Sequence, residues 1–154
     1  MQRDPALHDL ARDHYRVLLM CRRVEKATAS ERASLVEPFL RFWDEDATFH
    51  LLEEEALLVP HLPPDDADRV RGEHEWLRAA VERLRASPDP EAFAELARRL
   101  REHVRDEDRV LYGKVERALT AAQRAELRLR SAEFRLRVRP KGLEHCSLPH
   151  AARS

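Results

Sequence analysis

The sequence has little glycine, two cysteines, no long apolar run and no surplus of charge of either sign, and each shortage excludes something. Three glycines in 154 residues leave few places for tight turns and argue against a fold of many short strands. Cys21 and Cys146 stand far apart with no second pair, which excludes a disulfide framework and fits reduced thiols. Apolar runs such as Ala56-Leu57-Leu58-Val59 fall far short of the roughly 20 residues that a membrane span needs. The first residues carry no apolar signal region. Lys plus Arg (28) nearly cancels Asp plus Glu (29), with the signs interspersed, so no field favours nucleic acid or an anionic membrane surface. The expected location is the cytosol.

What is present is charge and helix formers. Charged residues make up 37% of the chain, and Ala, Leu, Arg and Glu dominate, the composition of long solvated helices. The expected fold is all-α in one domain, with a core of ordinary size.

Helical periodicity divides the chain. Leu7, Leu10, Val17, Cys21 and Val24 predict a first helix over about 6 to 27, with His14 in its apolar stripe. Thr28 with Glu31 forms a capping box for the second segment, and Pro38 predicts a break or kink. Phe39, Trp43, His50, Glu54 and Leu57 then lead to a stop near Pro60. Pro63-Pro64-Asp65-Asp66 opens a third helix, whose stripe is Ala67, Val70, His74, Leu77, Val81 and Leu84. Asp89 as N-cap and Pro90 at the first position open a fourth, directing Phe93, Leu96, Leu100, His103, Glu107 and Val110 inward. Thr120 with Gln123 caps a short fifth helix over about 121 to 136. Short connections predict an up-down-up-down antiparallel four-helix bundle over 1 to 138, followed by a C-terminal tail over 139 to 154.

An internal repeat carries the chemistry. His50-Leu51-Leu52-Glu53-Glu54-Glu55 matches His103-Val104-Arg105-Asp106-Glu107-Asp108, and Asp13-His14 matches Glu73-His74. Positions four apart share a helix face, so the imidazole and carboxylate of each His-x3-Glu can converge on one ion or bridge two. One such motif is ordinarily a surface pair; two in phase with core stripes are not. Glu54 and Glu107 stand where leucine belongs, and an unpaired buried carboxylate costs several kcal/mol. Four histidines and two glutamates spread over four helices satisfy one another best around cations. The expected set is His14, His50, Glu54, His74, His103 and Glu107, holding two divalent ions with open positions. Iron is expected; manganese and zinc also accept these ligands.

These same residues resemble the hemerythrin-like, or HHE cation-binding, family over about residues 7 to 120. The resemblance rests on Asp13-His14, on His50 to Pro60 with Glu54, on Glu73-His74, and on His103 to Tyr112 with Glu107. It implies a four-helix bundle with a non-haem di-iron site, in a family that includes oxygen carriers, oxygen or iron sensors and proteins that repair iron-sulphur centres. By resemblance the ligands map to the same six residues. The carriers place a second histidine four residues after the helix-three ligand, where this chain has Arg78, and an aspartate five after the helix-four ligand, where Asp108 stands beside Glu107. Glu107 is taken as the ligand, which turns the reading from oxygen transport toward sensing or modest redox chemistry. A nitrogen-rich ligand set points the same way, since it disfavours strongly oxidising metal states.

Several residues are set aside. His8 falls off the core stripe, and Cys21 reads as a small core residue. His61 could cap carbonyls or line an entrance. His145, Cys146 and His150 lie in the tail. Tyr112 and Trp43 are expected to pack in the core, Tyr112 with a possible hydrogen bond to the site. Glu53, Glu55 and Asp108 either orient imidazoles or face solvent. The leading functional expectation is a protein binding or sensing oxygen, nitric oxide or iron. The alternatives are an enzyme turning over peroxide or nitric oxide or serving iron-sulphur repair, and a structural metal or interaction module. Oligomeric state stays open.

Overall fold

A computed structural model describes residues 3 to 138, and the expectations for the tail, including His145, Cys146 and His150, lie outside them. Among the described residues every regular element is helical. A 3-10 turn at Pro5–Leu7 leads into α1 (His8–Lys26). The Thr28–Glu31 capping box opens α2 (Ala29–Phe42) as expected, each partner satisfying the other's free amide. The expected break at Pro38 is absent: α2 runs through it, and the irregularity comes later, as a π-turn over Trp43–Ala47 closed by the Thr48 amide donating to the Trp43 carbonyl. That turn joins α2 to α3 (Thr48–Leu57).

The second half repeats the plan. After a 3-10 turn at Val59–His61, α4 (Pro64–Ala86) carries Asp65 and Asp66 in its first turn, where they complement the helix dipole. Asp89 caps α5 (Pro90–Asp106) by accepting from the Ala92 amide. A second π-turn, Glu107–Leu111, joins α5 to α6 (Tyr112–Ala118). It also corrects the expected inward face. Val110 is 40% exposed, whereas Leu111 is 2%, because the wider turn inserts a residue and advances the buried stripe by one position.

The last helix is not short. Opened by the Thr120–Gln123 capping box, α7 (Ala121–Val138) has 18 residues against 19 in α1 and packs on α3 and the N-terminal turn.

Three apolar clusters border a buried polar layer. A large cluster includes Val17, Phe39, Trp43, Leu77, Phe93 and Leu100, with Cys21 fully buried in it. A second includes Leu7, Leu10, Leu57, Tyr112 and Leu127, and a small third joins Val59, Val70 and Leu111. His14 falls between Leu10 and Val17, and His74 between Val70 and Leu77, so each stripe crosses from one layer to another at its histidine. No helix among the described residues is long and apolar enough to cross a membrane.

Candidate metal centre

All six residues singled out by the repeat are buried and meet in the polar layer. Their inward atoms form two groups, each within 4.8 Å: His14, His50, Glu54 and Glu107 in one, Glu54, His74, His103 and Glu107 in the other. The two glutamates belong to both. Within each group the imidazole Nε2 atoms approach closely, His14 to His50 at 3.0 Å and His74 to His103 at 3.1 Å.

Every imidazole has an acid behind it. Asp108 lies 2.9 Å from His14 Nδ1, Asp13 lies 3.4 Å from His50 Nδ1, Glu55 lies 2.8 Å from His74 Nδ1, and Glu73 lies 2.7 Å from His103 Nδ1. No acid serves a histidine of its own helix: the residue before His14 holds His50, and the residue after Glu107 holds His14. An acid on each Nδ1 favours a proton there, which leaves Nε2 as the nitrogen that gives up its proton and ligates when a metal binds.

Of the flanking acids, Glu55 and Asp108 therefore orient imidazoles. Glu53 does neither of the things expected of it. It is 0% exposed, and its carboxylate accepts from the Ser131 hydroxyl and from Arg135 of α7. Arg78, standing where the oxygen carriers have a histidine, reaches Glu55 at 2.9 Å and so stays outside the inner cluster. Tyr112 fulfils both expectations: it is buried, donates its hydroxyl to Glu54 at 2.6 Å and stacks on His14. Trp43 and Cys21 are core residues, and His8 is exposed, bonded to the Arg3 carbonyl.

The charges are interlocked. Burial opposes protonation of His50, yet Glu54 and Asp13 overcome it and push the imidazole up to about 9. For His103, Glu107 and Glu73 override the same burial penalty and raise it to about 10. His14 is likewise raised, by Asp108 and the two inner glutamates against burial. Burial and mutual repulsion with Glu107 work to raise Glu54, but the neighbouring imidazoles draw it down to about 2. Glu107 is held well below the ordinary range, burial again being outweighed by His103, His14 and His74.

The donor set suits a cation. Glu54 Oε2 and Glu107 Oε2 are buried without a hydrogen-bond partner, a costly condition that a bound metal ion relieves. Four neutral imidazoles and two carboxylates offer six inward donors of the kind that first-row transition metals accept. Sequence reasoning missed Ser131 and Arg135, which lie in a helix with no motif of its own. Comparison with curated proteins and with solved structures returned no match. The description of the family model that matches residues 6–115 is the hemerythrin HHE cation-binding domain, and with that match spanning most of the chain, its buried His/Glu cluster has its counterpart in the family's name: the chain belongs to the hemerythrin HHE cation-binding domain family.

Proposed function

We propose that the protein holds two iron ions and binds or senses a diatomic, oxygen or nitric oxide, through them. The observation that carries this reading is the sharing of Glu54 and Glu107 between two histidine pairs, which suits two ions better than one. His14 and His50 would hold one ion and His74 and His103 the other, with the glutamates between. The short connections between helices support an up-down-up-down order for the four that carry these ligands. Bound iron would supply vacant coordination positions and one-electron redox chemistry.

The protein's own part is to orient, exclude and select. The outward acids fix the four imidazoles, and the apolar layers exclude bulk water. A cavity of about 10 Å³, lined by Leu58, Val59, Val70 and Leu111 together with Glu54, Glu107 and Tyr112, has room for about one water-sized molecule. A space of that size beside the two glutamates suits a very small molecule.

Tyr112 gives a second reading its footing. A buried hydroxyl 2.6 Å from Glu54 and 3.1 Å from His14 Nε2 can hold a proton at the site, as reduction of peroxide or nitric oxide requires. Visible absorption and iron content of aerobically purified, untagged protein test the first reading. Charge-transfer bands with about two irons per chain, perturbed reversibly by nitric oxide, are expected. Colourless protein without stoichiometric transition metal, together with His50→Ala leaving stability unchanged, would sink it. Consumption of peroxide or nitric oxide that Tyr112→Phe abolishes would move the reading to the enzyme.

A further inference from the structure

The repeat that matches the two halves extends beyond the six inner residues. In the second half Arg69 lies 3.1 Å from Glu73, the acid on His103, and 2.9 Å from Asp106, three residues after His103. In the first half the equivalent acids are Asp13, which faces His50, and Glu53, three residues after His50. The residue four before Asp13, corresponding to Arg69, is Asp9, an acid that pairs with Arg12. Instead an arginine from α7 makes the same pair of contacts. Arg135 Nη2 donates to Asp13 Oδ2 at 2.8 Å, the oxygen that faces His50, and its Nε donates to Glu53 at 3.1 Å.

We propose that Arg135 is a positioning residue for the metal centre, holding Asp13 so that Asp13 holds His50; the role rests on the metal reading above. The environment distinguishes it from its counterpart. Arg135 is 15% exposed and its partners Asp13 and Glu53 are 11% and 0% exposed, whereas Arg69 is 40% exposed. Charge pairs in such low-dielectric surroundings fix geometry more strongly than solvated ones, and the planar guanidinium spans two acids as no lysine can. Ser131 adds a second contact from α7 to Glu53. The helix beyond the family match thus completes the support of one half of the site, a task that α4 performs internally for the other.

The test compares Arg135→Gln, Arg135→Lys and Arg69→Gln with the wild-type chain. In metal-free protein labelled with ¹⁵N-histidine, the hydrogen-bonded Nδ1 proton of His50 is read by NMR. In iron(II)-loaded protein the release of metal to a chelator is timed. Arg135→Gln is expected to broaden or shift the His50 resonance while that of His103 stays. It should also speed release of one ion about tenfold, the low end for loss of an outer partner. Arg69→Gln should change release less than twofold, and Arg135→Lys should restore it in part. If Arg135→Gln does not fold, Glu53→Gln with Arg135→Met removes the buried charge pair while keeping bulk, and the same shift at His50 is expected. An unchanged His50 resonance in a folded variant overturns the proposal, as does equal acceleration of both ions with no change specific to His50. Wild-type protein that takes up no iron would overturn the metal reading, leaving the His50 resonance to decide whether Arg135 positions that imidazole.

Discussion

The two halves of the repeat present the same inner groups and support them by different means. His50 and Glu54 follow their π-turn, whereas the second π-turn begins at Glu107 itself, after His103. Glu73 is steadied by a half-exposed arginine one helical turn away, Asp13 by a largely buried arginine from α7. What both halves hold constant is the atom that faces inward and the acid behind each imidazole. Helical pitch and the donor geometry fix those; how the acid is anchored can vary so long as its charge is balanced.

The comparison breaks most visibly if a shared residue is removed. Glu54→Gln and Glu107→Gln are each expected to empty most of the metal from both halves, with affinity falling at least about 100-fold, beyond the effect of losing an outer partner. His50→Ala and His103→Ala should each cost chiefly one ion. Elemental analysis of purified variants distinguishes these outcomes, and equal losses in all four would mean that the halves do not hold separate ions.

Next in size is the phase shift at the second π-turn. Leu111→Ala should destabilise by about 2–5 kcal/mol, as for other buried leucines, while Val110→Ala should stay within about 0.5 kcal/mol. Urea denaturation measures both. A reversal would restore the regular helix that the sequence periodicity predicts.

Acid and alkali then probe the halves without metal. Raised imidazoles contribute stability that is complete below the ordinary 6.5 and fades as pH climbs through about 9 for His50 and about 10 for His103. Depressed carboxylates act in the opposite sense. The contribution of Glu54 is complete above 4.5 and is lost as pH falls toward about 2. Metal-free protein should therefore be most stable between about pH 4.5 and 6.5, and its melting temperature should fall as pH climbs from there through about 9 to 10. A flat profile from pH 6 to 10 would contradict the interlocked charges.

The smallest effect separates the two anchors. Arg69→Ala removes partly solvated ion pairs and should cost under about 1 kcal/mol by urea denaturation. Ser131→Ala, which withdraws a buried hydroxyl from Glu53, should cost about 1–3 kcal/mol.

Much of this arrangement was legible from the residues. The His-x3-Glu repeat, in phase with apolar stripes, named the six groups that the fold gathers, because a buried ionisable residue in a leucine position demands a partner. Capping boxes at Thr28 and Thr120 and the Asp89-Pro90 start are local devices, readable from a few neighbours. Val110 misled because periodicity assumes 3.6 residues per turn and the π-turn over Glu107–Leu111 widens one; Pro38 was read from its missing amide hydrogen, and the helix runs through it without a break. Asp13 and Glu73 could have been assigned from their place beside each histidine in the repeat. Arg135 could not, since α7 carries several arginines at unremarkable spacings and only long-range packing selects one.

Asp13 and Arg135 stand 122 positions apart in the chain. For a chain made from its N-terminus, that separation is also an interval of time. The histidines and glutamates emerge first and can gather within the two halves by short loop closures, while the contact between α1 and α7 forms only when nearly the whole described chain has been made. The core can assemble early, but the support behind His50 arrives last, so maturation of the site should follow the docking of the final helix.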